Sequence, residues 1–144
     1  MYTVKQLLQD KGSQFWSLSS QSTVYEALKI MADKNVGALL VVDEGKLAGI
    51  FSERDYARKG VLQAKSSKET AVGEMMTTEL FYTAPGDTIE DCMALMTDKR
   101  VRHVPVLENG RLAGIISIGD VVKHIITEQE VTIQQLKKYI AGEW

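Results

Sequence analysis

Hydrophobic residues along this 144-residue chain follow two kinds of spacing. Residues 24–31 and 89–96 carry apolar side chains three and four positions apart, which predicts amphipathic helices. Each helix is followed by a short run rich in β-branched residues, at 38–42 and 103–107, which predicts a strand. Each half of the chain is therefore predicted to place a helix before a strand.

Turn sequences separate each of these strands from a second apolar run. Glu44-Gly45 and Asn109-Gly110 are typical of tight turns, and they predict hairpins that lead into return strands. Ser22 and Asp87 are the expected N-caps of the first helices. The predicted return strands are 47–51 and 112–116, and the helices predicted after them are 53–62 and 119–126.

These elements form one unit that occurs twice. Residues 23–55 align without a gap with residues 88–120, which lie 65 positions later. A shorter lead-in repeats at 4–8 and 72–76, 68 positions apart, and predicts a short helix in each copy. An extended entry segment follows each lead-in, at 15–18 and 80–83.

The predicted fold class is α+β (α/β), with a small three-stranded sheet and flanking helices in each copy. The copies are expected to stack sheet to sheet about a pseudo-twofold axis, because one copy is too small to cover both faces of its sheet. The predicted division is 1–66 for the first copy, 67–127 for the second and 128–144 for an extra amphipathic helix with no counterpart in the repeat. This helix either packs back on its own chain or docks on a partner.

Composition narrows the class of protein. A hydrophobic content of 44% and a charged content of 25% are ordinary for a globular protein, and a net charge of −2 gives no global basic field for nucleic acid. The single cysteine, Cys92, cannot form an intrachain disulfide and is expected to be a buried structural thiol. The absence of a signal-peptide pattern and of a long apolar run predicts a cytoplasmic protein without a membrane span.

The chemistry is expected where each return strand meets its following helix. Both copies carry the pattern Gly-x-x-Ser-x-x-Asp, with Ser52 and Asp55 in the first and Ser117 and Asp120 in the second. Free amides at such a helix start suit a phosphate or polyol, and a carboxylate can accept both hydroxyls of a ribose. The alternative interpretation is structural: the serines are N-caps and the aspartates are first-turn charges.

The duplicated body with its Gly-x-x-Ser-x-x-Asp ending resembles tandem cystathionine-β-synthase-type (CBS) domains over nearly the whole chain. The resemblance implies two clefts between the copies that bind AMP, ADP, ATP, NAD or a related adenosyl compound. It implies that Asp55 and Asp120 hold ribose hydroxyls, with Ser52 and Ser117 near ribose or phosphate. It also implies a flat homodimer.

The resemblance further implies cleft-wall contacts to adenine, through backbone and apolar groups of the entry segments and through the strand backbone at 37–39 and 102–105. The copies differ here, because Arg102 and His103 stand where the first copy has Gly37 and Ala38. His103 is either a satisfied structural histidine or a phosphate contact, and no metal is expected because only His103 and His124 are present. The implied wall residues are Trp16, Ser17, Leu18, Gly37, Ala38, Leu39, Tyr82, Thr83, Ala84, Arg102, His103, Val104 and Pro105.

Cationic residues after the Ser–Asp pairs are candidate phosphate contacts. Arg54 opposes the helix dipole at a helix start, which a phosphate contact would justify. Arg58 and Lys59 follow one turn later, and Lys123 is at the corresponding turn of the second copy. The alternative for all of them is a solvated helix face.

No nucleophile–base pair, Walker loop or zinc spacing occurs, so catalysis is not expected. The predicted function is an adenine-nucleotide sensor that signals to a partner protein. The alternative is a non-catalytic dimerisation scaffold whose clefts are empty or vestigial. Nucleic-acid binding is disfavoured because the chain has no aromatic-basic stripe.

Overall fold

The computed structural model describes residues 2–142 and divides them into two compact units. The first unit is Gln14–Phe81, and the second unit consists of the described residues on either side of it. Each unit holds the body of one sequence copy, but the lead-ins are exchanged. Helix α1 (Val4–Lys11), which opens the first copy, lies in the second unit, and the second copy's lead-in, a single 3-10 turn at Val72–Glu74, lies in the first.

The spatial units therefore do not follow the predicted division into 1–66, 67–127 and 128–144, which remains a prediction about the repeat in sequence. Only the first lead-in forms an α-helix. In the second lead-in, Gly73 lies within the 3-10 turn, and a Cβ on Gly73 would lie 3.2 Å from Ser20 Cβ. The chain therefore packs closely there instead of continuing as a helix.

The first unit has a three-stranded sheet in the order β1 (Ser17–Leu18), β2 (Ala38–Asp43), β3 (Lys46–Ser52). Strand β1 is parallel to β2, and β2 is antiparallel to β3, as a hairpin requires. Helix α2 (Val24–Lys34) crosses from β1 to β2. The buried core joins this helix, the sheet and the exchanged lead-in through Val24, Ala27, Met31, Leu39, Val41, Phe51, Val72 and Met75.

The helix predicted at 53–62 is only partly α-helical. Helix α3 (Glu53–Asp55) passes directly into a π-helical turn at Tyr56–Val61. Gly60 is buried there, and a Cβ on it would lie 2.8 Å from the Tyr56 ring, so the ring packs closely over the glycine backbone. The apolar spacing of the sequence does not reveal this widening of the helix.

The second unit contains α4 (Ile89–Lys99), the antiparallel pair β4 (His103–Glu108) and β5 (Arg111–Ser117), and α5 (Ile118–Ile140). Its sheet has two strands rather than the predicted three. Thr83 alone bridges Val106 in the parallel sense. The entry segment leaves the sheet after that bridge because the Ala84 N–H donates to the Asp87 carboxylate and Pro85 has no N–H.

Helix α5 is continuous, so the separate helix predicted at 128–144 is instead an extension of the helix predicted at 119–126. No glycine or proline occurs between Gly119 and Gly142 to interrupt it. Residues 143 and 144 lie outside the described residues. Among residues 2–142, no helix has the length and apolar character needed to cross a membrane.

The predicted turns are confirmed, but the predicted helix caps are not. The predicted hairpins have positive φ at Glu44 and Gly45 and at Asn109 and Gly110, as their tight turns require. The helix caps are shifted by one residue from the prediction. Thr23 and Thr88, not Ser22 and Asp87, accept the capping hydrogen bonds.

The cap prediction failed at Asp87 because that carboxylate has other partners. It accepts hydrogen bonds from the Thr83 hydroxyl at 2.9 Å and from the Ala84 amide at 2.8 Å. At the other cap, the Ser22 carbonyl accepts from the Val72 amide at 2.8 Å, which joins the lead-in to the start of α2. The equivalent bond in the second unit runs from the Val4 amide to the Asp87 carbonyl, also at 2.8 Å.

The glycine of each Gly-x-x-Ser-x-x-Asp pattern makes room for a lead-in. A Cβ on Gly49 would lie 2.7 Å from the Thr77 carbonyl oxygen, and one on Gly114 would lie 2.9 Å from Leu8 Cδ2. Ile50 and Thr77 exchange two backbone hydrogen bonds, at 2.8 and 3.0 Å, next to the first glycine. The lead-in of one copy is thus placed beside the Ser–Asp pair of the other.

Candidate functional site

The first Ser–Asp pair forms a capping box at the start of α3. The Ser52 hydroxyl accepts from the Asp55 amide at 3.2 Å, and Asp55 Oδ2 accepts from the Ser52 amide at 2.9 Å. The Ser52 hydroxyl also lies 3.0 Å from Asp55 Oδ2 and can donate to it. This arrangement satisfies amides that have no partner within the helix, so the structural interpretation of the pair holds locally.

The remaining oxygen of Asp55 is also occupied. Oδ1 accepts from the Thr77 hydroxyl at 2.9 Å and lies 3.5 Å from Lys59 Nζ. Lys59 in turn donates to the Met75 carbonyl at 3.2 Å, so it connects Asp55 to the exchanged lead-in. Only 12% of the Asp55 side chain is exposed. Both oxygens of this carboxylate are therefore used to fix the first unit.

The second Ser–Asp pair has the same capping box but a different partner. Asp120 Oδ2 accepts from the Ser117 amide at 2.9 Å, and the Ser117 hydroxyl accepts from the Asp120 amide at 3.1 Å. Lys11, at the end of α1, donates to Oδ2 at 2.8 Å. Within residues 2–142, no group donates to Asp120 Oδ1, and 25% of the side chain is exposed.

The electrostatics of the second pair favour an ionised carboxylate. Burial alone would raise the pKa of Asp120, but the hydrogen bond and the charge of Lys11, with the Ser117 bonds, outweigh it and hold that pKa below its ordinary value. Asp120 therefore presents one anchored oxygen and one open oxygen, both as hydrogen-bond acceptors.

The start of β2 lies beside Ser52, and the start of β4 lies beside Ser117. Ala38 is the register partner of Ser52, and His103 is the register partner of Ser117. The first helical amide after each serine donates to the carbonyl just before these strands, from Glu53 to Gly37 at 3.1 Å and from Ile118 to Arg102 at 2.8 Å. The sheet thus brings the strand starts and the Ser–Asp pairs together in each unit.

Several predicted wall residues have side chains that point into the core. Leu39 and Val104 are fully buried in the cores of their units, and Ala38 and Pro105 are buried too. Thr83 is 5% exposed, with its hydroxyl bonded to Asp87 and 3.3 Å from Cys92 Sγ. These residues cannot offer a ligand their side chains, and the backbone amide and carbonyl of Thr83 are already bonded to Pro105 and Leu107.

The other wall residues are more accessible. Trp16 is partly exposed, and Lys34 Nζ lies 4.4 Å from the centroid of its ring. Tyr82 is 46% exposed, and Arg102 is exposed. The remaining predicted wall residues are Ser17, which is exposed, Leu18, Gly37 and His103, which are half-buried, and Ala84, which is exposed.

The predicted cations differ in their surroundings. Arg58 and Lys123 are exposed, and Arg54 is half-buried. No described residue forms an ion pair with any of these three. Lys59 is different, because its ammonium is already bound to Asp55 and the Met75 carbonyl.

Two residues that contact the aspartates, Lys11 and Thr77, were missed by the sequence interpretation. Lys11 ends helix α1 and Thr77 directly follows the second lead-in, and both segments were assigned to their own copies instead of to the opposite bodies. The offset of 68 in the lead-ins against 65 in the bodies shows an insertion between them, but it does not reveal the exchange. The exchange is evident in the structure, where each lead-in packs closely against Gly49 or Gly114 of the opposite body.

A groove of about 540 Å³ in the first unit is distinct from the Ser–Asp pair. It is lined by the C-terminal half of α2 together with Gly37, Glu53 and Tyr56, and neither Ser52 nor Asp55 lines it. Gly37 is the one predicted site residue on its wall. The groove therefore gives no support to the predicted ribose contacts.

Comparison with known proteins gives a consistent picture of the repeat. The family model for the CBS domain matches residues 12–61 and 72–127. A mitochondrial CBS domain-containing protein of Arabidopsis thaliana, CBSX3, is 46% identical over 136 residues, which are 91% of this chain and 66% of that protein. This chain thus spans just under two thirds of the plant relative.

Solved structures agree in fold. A protein with CBS domains from Burkholderia ambifaria, named for signal transduction, is 52% identical with a TM-score of 0.84, over 88% of this chain and 96% of that one. The CBS domain pair of protein MJ0100, solved with 5′-methylthioadenosine and S-adenosyl-L-methionine, is 26% identical with a TM-score of 0.79. That match covers 89% of this chain and 98% of the other.

Proposed function

Because this chain belongs to the CBS domain family, we propose that it is a regulatory module that binds an adenine nucleotide, with the ribose held by Asp120. The observation that carries the proposal is the open Oδ1 of Asp120, next to an Oδ2 fixed by Ser117 and Lys11. A carboxylate oxygen has two acceptor positions, so Oδ1 can accept both ribose hydroxyls while the capping box stays intact.

Lys11 gives this site a cation that the sequence interpretation lacked. Its ammonium has three N–H donors and donates one hydrogen bond to Asp120. The Lys11 side chain is 27% exposed. A phosphate attached to a ribose on Asp120 would lie within reach of the remaining donors. Arg102, exposed at the start of β4, is a second candidate for the phosphate.

Fewer residues are proposed to contact the adenine at this site than the predicted wall contains. Val104 and Pro105 contribute the surface of their strand, because their side chains are buried. The Thr83 amide and carbonyl are already bonded to Pro105 and Leu107, so Thr83 contributes shape only. Tyr82 has an exposed ring that can stack on a base. An adenine held in this way would be recognised mainly by shape and by stacking on Tyr82.

The first Ser–Asp pair is proposed to bind more weakly than the second. A ribose there must displace the Thr77 hydroxyl from Asp55, and the Thr77 hydroxyl would then lose its hydrogen-bond partner. Arg54 and Arg58 could still meet a phosphate. The two sites are therefore expected to differ in affinity and in preferred nucleotide.

The output of such binding is proposed to be a change in a partner protein, because the described residues offer nucleotide-binding groups but no assembled nucleophile and base. We also propose a homodimer. The AMP, ADP, ATP and NAD forms of the ligand share the adenosine group that Asp120 would hold, and they differ in what reaches Lys11 and Arg102.

The test is thermal stability with and without each nucleotide. A ligand at 100 times its dissociation constant adds about 2.7 kcal/mol, which raises the melting temperature of a domain of this size by roughly 5–10 °C. The Asp120→Asn variant keeps an acceptor for the Ser117 amide but loses the anionic acceptor, so it should show little shift. Asp55→Asn is the matched control and should keep most of the shift.

The alternative, a scaffold without ligand, predicts a different result. In that case none of AMP, ADP, ATP or NAD at millimolar concentration changes the melting temperature of the wild-type protein. Incubation with ATP and chromatography of the products provides the check on catalysis, and the proposal predicts unchanged ATP.

A further inference from the structure

The second half of α5 carries an apolar stripe that no residue among 2–142 covers. Every residue from 126 to 142 is exposed. Ile126, Ile133, Leu136 and Ile140 are among them, with exposures of 50, 50, 56 and 83%. An isolated helix of about 15 residues is marginal in water, so packing against another surface is what would stabilise it.

The spacing of the stripe is that of a coiled coil. Val122, Ile126, Gln129, Ile133, Leu136 and Ile140 alternate in steps of four and three, which is the heptad repeat of positions d and a. Isoleucine occupies every a position from 126 to 140. Such a seam fits another helix with the same repeat, and a second copy of α5 supplies one.

The charges beside the seam select one arrangement of two copies. Lys123, Glu130 and Lys137 occupy the e positions. When the helices run antiparallel with each Ile133 beside Leu136 of the second copy, Glu130 of each copy faces Lys137 of the other. The twofold symmetry produces this opposite-charge pair twice.

Other alignments are less favourable. A parallel pair places Glu130 next to Ile125 and Lys137 next to Thr132 of the second copy, so no charges are paired. An antiparallel pair shifted by one heptad places Glu130 against Glu130 and Lys123 against Lys137. Only the first antiparallel alignment is complementary, and it places Gln129 at the end of the overlap, where its amide can reach water.

We infer that residues 129–140 of α5 form a two-stranded antiparallel coiled coil with the same segment of a second copy of this chain. Ile133 and Leu136 fill its centre, and Glu130 and Lys137 fix its alignment. The overlap of residues 129–140 is about 18 Å long, so a reversible dimer with fast exchange is expected. This inference does not depend on nucleotide binding.

Analytical ultracentrifugation of the full chain over a range of concentrations tests the contact. The wild type should show a concentration-dependent dimer, and Ile133→Glu should weaken it at least about thirtyfold, as expected for a central interface position. Val131→Glu is the matched control. Val131 is 52% exposed on the same helix but lies off the seam, so its dimer should equal that of the wild type.

Charge reversal tests the alignment. Glu130→Lys alone and Lys137→Glu alone should each weaken the dimer about threefold or more, and the double variant should recover wild-type association. A wild type that is monomeric throughout, or a dimer that Ile133→Glu leaves unchanged, would overturn the inference. Loss of the dimer in Ile133→Glu without any rescue by the double reversal would overturn the antiparallel alignment.

Discussion

Replacing the two motif aspartates by alanine should separate a structural role from a binding role. Asp55 accepts hydrogen bonds from the Ser52 amide, the Ser52 hydroxyl and the Thr77 hydroxyl, at 2.9, 3.0 and 2.9 Å, and it faces Lys59 at 3.5 Å. Asp55→Ala removes all of these contacts in a place where water has little access. The donors that remain lose their partner.

The cost of Asp55→Ala follows from this environment. Breaking a buried, hydrogen-bonded charge cluster by removing one partner costs about 3–5 kcal/mol. Asp120→Ala removes a capping contact and a partly exposed ion pair, which together cost about 1–2 kcal/mol. The unfolding free energies of the two variants should therefore differ by about 1–4 kcal/mol, with Asp55→Ala the less stable.

The expected order of nucleotide affinities is the reverse. Asp120→Ala removes the carboxylate that would accept both ribose hydroxyls, and the affinity should fall at least about thirtyfold. Asp55→Ala should leave the higher-affinity site intact at a temperature where the variant stays folded. Urea unfolding followed by circular dichroism measures the first quantity, and isothermal titration calorimetry with AMP or ATP measures the second.

Both the order of stabilities and the order of affinities must hold if Asp55 is structural and Asp120 holds the ribose. If the two variants lose equal stability, the extra contacts of Asp55 do not stabilise the first unit. If Asp55→Ala abolishes nucleotide binding and Asp120→Ala does not, the open Oδ1 of Asp120 is not the ribose acceptor. A Thr77→Val variant combined with Asp55→Ala completes a double-mutant cycle, and a coupling of about 1 kcal/mol is expected from the shared hydrogen bond.

Three further predictions concern the same elements. Gly49→Ala should destabilise the protein by about 1–3 kcal/mol in urea unfolding because the new Cβ meets a backbone oxygen at 2.7 Å, whereas Gly114→Ala meets the end of a leucine side chain and should cost less; equal losses would contradict this explanation. The pKa of Asp120 is lowered in the folded state, so its stabilising effect is complete above the ordinary carboxyl pKa of 3.8 and is lost as the pH falls through the lower folded value. The wild type should accordingly lose its advantage over Asp120→Asn in acid unfolding below about pH 4, and a constant difference between them would refute this. Burial raises the pKa of the Cys92 thiol, so the native protein should react slowly with a thiol reagent at pH 8 and rapidly in urea, and fast native labelling would show that the thiol is accessible.

The repeat in the sequence was sufficient to predict most of the body of each unit. Helices α2 and α4, the hairpins and the positions of the Ser–Asp pairs follow from local spacing and turn residues, which act over a few positions. The π-helical turn at Tyr56–Val61 does not follow from spacing, because it depends on how the Tyr56 ring packs on Gly60.

The candidate site was predictable only in part, for a related reason. Ser117 and Asp120 are only three positions apart and form a recognisable cap, but Lys11 contacts Asp120 from 109 positions away in the sequence. Contacts between residues so far apart in the sequence depend on which unit a lead-in joins, and this cannot be read from the sequence of one lead-in. The predicted backbone contacts of Leu39 and Val104 to a base stay predictions, and the burial of both side chains leaves only the backbone to make them.

The exchange of lead-ins also explains how one duplicated motif can acquire two roles. The capping boxes at Ser52–Asp55 and Ser117–Asp120 are equivalent, so the difference between the units comes from what each lead-in delivers. The lead-in of the first unit delivers a hydroxyl, which fills the last acceptor of Asp55. The lead-in of the second unit delivers a cation, which anchors one oxygen of Asp120 and leaves the other open. The Thr77 hydroxyl leaves Asp55 no open acceptor, whereas Lys11 leaves Asp120 Oδ1 open and adds a cation for phosphate. Exchanging these two contacts, with Lys11→Thr in one variant and Thr77→Lys in another, should therefore change the relative nucleotide affinity of the two sites without altering either Ser–Asp pair.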